Sequence, residues 1–146
     1  MEKILISACL VGDKTKYDGS SNYHPLVRDL LQKYELVPFC PECEGGLPTP
    51  RKPSERTKDG HVINNAGKDV TKAFHLGAEK ALNICKYFDI KVAILKERSP
   101  SCGKYQQYDG TFTGRKIKGE GVTCELLRQN GIKIYNEEEI EELLKE

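Results

Sequence analysis

Apolar and polar positions along this chain switch between two periods, and the switching predicts strands interleaved with helices. Short β-branched runs at Ile4-Leu5-Ile6, Leu36-Val37-Pro38-Phe39, Val92-Ala93-Ile94-Leu95 and Ile132 to Tyr135 read as strands. Leu26, Val27, Leu30 and Leu31 recur at helical spacing behind Pro25. A longer apolar face follows Asp69, a good N-cap: Val70, Ala73, Phe74, Gly77, Ala78, Ala81, Leu82, Cys85 and Phe88. Another helix is expected from Val122 to Gln129, stopped by Asn130-Gly131, and a last one in the tail. Two stretches break both periods. Pro41 to Lys68 holds four prolines and four glycines and reads as a long polar connection, and the Gly-rich segment after residue 96 reads as irregular through Gly121.

Strands alternating with helices imply an α/β fold: a single compact domain over residues 1–146, with a mostly parallel sheet of four to five strands flanked by helices. The pattern is Rossmann-like but carries neither the G-x-G-x-x-G nor the G-x-x-x-x-G-K-[ST] phosphate fingerprint. With 38% hydrophobic and 31% charged residues in 146, the composition is that of one ordinary globular domain. No apolar stretch approaches the ~20 residues of a membrane span, and the first apolar run is too short for a signal peptide, so a cytoplasmic protein with no membrane partner is expected.

In a reducing compartment, the six cysteines are better read as metal ligands, a nucleophile or core residues than as disulfides. Cys85 falls within an apolar helix face, and Cys124 lies beside core-facing leucines; both read as packing. Cys40-Pro-Glu-Cys43 has the spacing of a zinc knuckle or redox pair, but no second pair completes a structural zinc site. Cys9, Cys40 and Cys102 differ from the others, because each lies at or just past the end of a predicted strand. If those strands are parallel neighbours, the three thiols meet at one edge of the sheet, where open α/β folds bind their ligands. Three thiolates can hold zinc with an open position, or a 4Fe-4S cluster with one iron free.

The formal charge of +1 hides an asymmetry. Residues 91–118 hold seven Lys/Arg against Glu97 and Asp109, whereas the last ten hold six Glu against Lys145, a pattern expected of a solvated acidic helix. The basic stretch suits an anionic ligand, and Arg51, Lys104 and Arg115 are candidate phosphate holders from their loop positions. No aromatic-basic platform points to RNA, which makes tRNA a less expected partner, and nothing points to DNA.

The segments Ile6-Ser7-Ala8-Cys9-Leu10-Val11-Gly12, Tyr17-Asp18-Gly19, Cys40-Pro41-Glu42 with Gly45-Gly46-Leu47-Pro48-Thr49-Pro50-Arg51, Asp69-Val70-Thr71, Ser99-Pro100-Ser101-Cys102-Gly103 and Gly119-Glu120-Gly121-Val122 resemble, in order, the motifs of the thiouracil desulfidase family. The resemblance spans nearly the whole chain. It implies a small α/β domain with a 4Fe-4S cluster on Cys9, Cys40 and Cys102 that removes sulfur without net redox chemistry from a small thiolated pyrimidine, base or nucleotide. It also implies acid/base and positioning roles for Glu42 and Ser101. Two positions depart from the pattern: Lys16 replaces an expected arginine, and Cys43 adds a fourth thiol near the site. The alternative reading is a non-enzymatic accessory domain that carries zinc, a cluster or sulfur on the same thiolates.

Overall fold

The computed structural model describes residues 1–146 and places the first β-branched run at the centre of a sheet. β1 (Glu2–Ser7) passes through a short 3-10 turn, Ala8–Val11, and a polar loop into α1 (Val27–Lys33), which returns the chain to β2 (Tyr34–Phe39). α2 (Pro41–Glu44) begins directly after Cys40, with proline in its first turn, where a missing N–H costs nothing. An antiparallel hairpin, β3 (Ser54–Arg56) and β4 (Val62–Asn64), precedes the long α3 (Thr71–Tyr87). β5 (Val92–Leu95) is followed by a second hairpin, β6 (Gln106–Tyr108) and β7 (Lys116–Lys118), then α4 (Val122–Gln129), β8 (Lys133–Asn136) and the short α5 (Ile140–Leu144).

The four main strands form one parallel sheet in the order β2-β1-β5-β8. Successive side chains take opposite faces, as the period of two requires. Ile4, Ile6 and Ile94 join Val27, Leu30, Ile140 and Leu143 in the core under α1 and α5. Leu5, Ala93 and Leu95 join Ala81, Cys85, Cys124 and Leu127 under α3 and α4. Burial on both faces explains why these strands read as continuous apolar runs rather than as alternating ones. Cys85 and Cys124 are buried in this second core, as their helical settings predict.

Four expectations need correction. Pro41 to Lys68 is not structureless: it contains α2 and the first hairpin, whose turn carries Asp59-Gly60, a strong hairpin signal. The segment after residue 96 contains the second hairpin. Leu31 does not share the buried face of α1 but lies exposed. The acidic tail is α-helical only over Ile140–Leu144, after a 3-10 turn at Glu137–Glu139 from which Glu137 and Glu139 pair with Lys96 at 2.9 Å and Lys104 at 2.7 Å.

Candidate active site

From β1 the chain first crosses to β2 and later returns to β5 on the other side, so the strand order reverses at β1. Ligands of open α/β sheets bind outside the carboxyl ends of the strands at such a point. A cleft of about 470 Å³ opens there, lined by Cys9, Cys40 and Cys102. Cys9 follows β1 in its 3-10 turn, Cys40 follows β2 as the N-cap of α2, and Cys102 sits in the loop after β5. The adjacency of the three strands thus brings together thiols separated by more than ninety residues of chain.

Two glycines let the cysteine loops approach the helices behind them. A Cβ at Gly77 of α3 would lie 1.9 Å from the Pro41 carbonyl oxygen, so only glycine allows the Cys40 turn to rest on that helix. At Gly121, which opens α4, a Cβ would lie 2.4 Å from the Ser101 backbone beside Cys102. Hydrogen bonds then lock the third loop: Ser99 Oγ accepts the Ser101 and Cys102 N–H groups at 3.1 and 3.0 Å.

Burial governs the electrostatics. It pushes the Cys9 and Cys102 thiols up and the Cys40 thiol up to about 12. Asn22 Nδ2 donates to Cys9 Sγ at 3.5 Å, and a hydrogen bond from Ser7 partly offsets the effect at Cys102. Thiols in this state are protonated at neutral pH, so loading a metal centre displaces protons. No three His, Cys, Asp or Glu side chains converge as ligands of a single metal ion. Zinc would require the three thiolates to close on one centre with bonds of about 2.3 Å. A 4Fe-4S cluster binds each cysteine through a different iron and so takes thiols that ring a cavity, as these three do.

Glu42, the second residue of α2, is half-buried at the cleft wall and paired with Arg51 Nε at 3.3 Å. Burial raises its carboxyl above the usual range, and the Arg51 charge and hydrogen bond only partly counter this. The guanidinium is otherwise engaged with the Thr15 carbonyl at 2.8 Å, Thr49 Oγ1 at 3.0 Å and the Pro48 carbonyl at 3.3 Å. Arg51 is therefore a clamp on Glu42 rather than a free phosphate holder. Cys43 Sγ points to Thr49 Oγ1 at 3.3 Å and to Arg51 Nη1 at 3.7 Å, and it is not among the cleft walls.

Other candidates fall elsewhere. Ser101 is completely buried off the cleft, its hydroxyl 2.7 Å from Thr123 Oγ1, and the wall position belongs to Ser99 two residues earlier. Lys104 is bound to Glu139 at 2.7 Å outside the cleft. Arg115 is largely exposed on the second hairpin, 3.9 Å from Asp109, and also lies off the cleft. Besides Arg51, the cations that line it are Lys16, Lys96 and Arg98; Lys96 is paired with Glu137, and Arg98 reaches Glu138 only at 3.7 Å. Ser99 could have been found from its place directly before Pro100 in a turn, where a hydroxyl accepts the N–H groups that follow. Arg98 carries no such signal.

The model of the family described as 2-thiouracil desulfurase matches residues 4–139. The Bacillus subtilis (strain 168) protein YbbK is 39% identical over 150 residues, covering 97% of this chain and 99% of its own length. A solved structure described as [4Fe-4S]-dependent thiouracil desulfidase TudS superposes with a TM-score of 0.92 at 46% identity, covering 98% of this chain and 95% of that one. No helix is long and apolar enough to cross a membrane.

Proposed function

We propose, from the premise that the chain belongs to the 2-thiouracil desulfurase family, that this enzyme hydrolyses the C=S bond of a thiolated pyrimidine with a 4Fe-4S cluster held by Cys9, Cys40 and Cys102. The observation that carries the reading is the convergence of three strand-end thiols on one cleft beside a half-buried acid, Glu42. Storage or transfer of a metal needs no such acid, which favours catalysis over a carrier role. When bound, the cluster supplies an iron without a protein ligand, a Lewis acid suited to a soft thiocarbonyl sulfur.

The chain's own residues supply the rest. One C=S bond breaks, one C=O bond forms, and both protons of water leave with the sulfur, so no electrons are exchanged overall. Glu42 takes a proton from the attacking water and returns it to the departing sulfide; its raised carboxyl lies closer to neutral pH than an exposed one. Arg51 keeps that carboxylate aimed into the cleft. Ser99 has its oxygen occupied by two backbone N–H groups, which leaves the hydroxyl proton to donate to the pyrimidine edge. Ser101 acts indirectly, by anchoring the Cys102 loop to α4 through Thr123.

Substrates of the proposed class are 4-thiouracil and 4-thiouridine monophosphate, with Lys16 and Arg98 at the cleft to meet a phosphate. The test is anaerobic reconstitution followed by a sulfide assay. Uracil and sulfide should form in equal amounts, and Glu42→Gln should lose about 10² to 10⁴ in kcat while keeping the cluster absorption. Uracil formation that survives Glu42→Gln unchanged would remove the acid/base assignment.

A further inference from the structure

Two non-glycine residues facing the cleft hold left-handed backbone: Arg98 at φ 65° and Phe112 at φ 58°. For a bulky aromatic residue this is a true outlier, and it persists only where surrounding groups impose it. Phe112 sits in the turn joining β6 to β7, and the group that imposes its conformation is Glu55 on β3. Glu55 is 9% exposed, and one carboxylate oxygen, Oε1, accepts both the Gly110 N–H at 2.9 Å and the Phe112 N–H at 3.1 Å. The turn is closed from within, since Asp109 accepts the Thr111 N–H at 3.0 Å and its own N–H donates to the Arg115 carbonyl at 3.0 Å. A buried carboxylate on one hairpin thus fixes the tip of another, and the fixed tip presents a ring at the cleft instead of burying it in a core. The cleft it faces is also lined by Phe39, Pro53, Pro100 and Tyr108.

We propose that Phe112 is the specificity-determining wall on which the pyrimidine ring stacks, and that Glu55 is the positioning residue that mounts it. This rests on reading the cleft as a thiopyrimidine site, and it adds a physical basis for choosing among thiocarbonyl compounds. Stacking rewards a flat aromatic heterocycle and gives little to an open-chain thioamide or a puckered, saturated ring. The preference for 4-thiouracil over its 5,6-dihydro counterpart and over thiourea therefore originates at Phe112.

The test compares the reconstituted enzyme with Phe112→Ala, Phe112→Tyr, Glu55→Ala and Glu55→Gln. It reads kcat and KM for 4-thiouracil and its dihydro counterpart, the Kd of uracil by calorimetry, and the cluster absorption. Phe112→Ala should raise KM for 4-thiouracil and Kd for uracil about tenfold with kcat within about twofold, narrow the preference over the dihydro compound, and leave the absorption unchanged. Phe112→Tyr should restore the parent values. Glu55→Ala should repeat the Phe112→Ala pattern, whereas Glu55→Gln, which keeps a carbonyl oxygen for the two N–H groups, should stay near the parent. Unchanged KM and Kd in Phe112→Ala would overturn the wall, and a Glu55→Ala variant that melts lower but keeps its KM would overturn the mounting role. If the parent released no sulfide yet bound uracil in a Phe112-dependent way, the wall would stand and the desulfidase reading would fall. If it bound no pyrimidine, both would fall.

Discussion

Replacing Glu97 should loosen the loop that carries Cys102, although Glu97 itself binds nothing in the proposed reaction. The side chain is 3% exposed. Oε1 accepts the Arg98 N–H at 3.0 Å, the Lys104 N–H at 2.9 Å, the Tyr105 N–H at 3.2 Å and, more weakly, the Gln106 N–H at 3.4 Å. Oε2 accepts Asn136 Nδ2 at 2.8 Å, which ties the loop to the end of β8. Hydrogen bonds to a charged acceptor contribute about 1.5–3 kcal/mol each, but they are not additive, and backbone groups released by an opened loop regain water. Counting the two shortest in full and the rest as nothing gives a loss of about 3–6 kcal/mol for Glu97→Ala. At about 2–4 °C per kcal/mol for a domain of this size, the melting temperature should fall by about 6–24 °C. Glu97→Gln keeps the shape with neutral bonds of roughly half the strength and should fall between the two.

The pH dependence has a definite sign. Burial pushes the Glu97 carboxyl up, but its N–H donors outweigh burial and hold it below the usual range. A native value below the unfolded one means that the stabilisation is complete above the unfolded value of 4.5 and is lost as pH falls through the lower native value. The assay is thermal melting across pH together with the rate at which a thiol reagent labels Cys102 in the metal-free protein, where that thiol is 5% exposed. Faster labelling and a shallower acid limb are expected in Glu97→Ala. A variant that melts within 2 °C of the parent and labels Cys102 no faster would refute the reasoning.

Two further outcomes follow from the same geometry. Gly77→Ala forces a Cβ to within 1.9 Å of the Pro41 carbonyl, so α2 must shift; iron retention after reconstitution should fall sharply while far-ultraviolet dichroism changes little, and full retention would contradict the packing account. Arg98→Ala should raise KM for 4-thiouridine monophosphate several-fold and leave that for 4-thiouracil within about twofold, because only the nucleotide carries a phosphate for a guanidinium to bind. Equal effects on both compounds would place the phosphate elsewhere.

The convergence of Cys9, Cys40 and Cys102 on one cleft was legible because each follows a β-branched run, and parallel neighbours share one end. The same logic separated Cys85 and Cys124, which sit on helix faces that the apolar period marks as buried. Side-chain direction within a loop was not legible. Ser101 stands beside Cys102 in sequence, yet its backbone packs against Gly121 and its hydroxyl turns inward to Thr123. Charge pairing across the fold was equally hidden: Arg51 looked free until Glu42 stood beside it, and Lys104 finds Glu139 thirty-five residues along the chain. Breaker-rich segments misled because prolines and glycines that forbid long elements still permit a four-residue helix and three-residue strands. Glu55 and Phe112 escaped because their contact joins two such hairpins.

The central claim is that three particular thiols hold a cluster with one iron left open, and iron counting across cysteine variants tests it most directly. After anaerobic reconstitution, the parent and Cys43→Ser should each hold about four irons per chain. Cys9→Ser, Cys40→Ser and Cys102→Ser should each lose most of that iron and the visible absorption with it. Full iron in any of these three, or its loss in Cys43→Ser, would contradict the account.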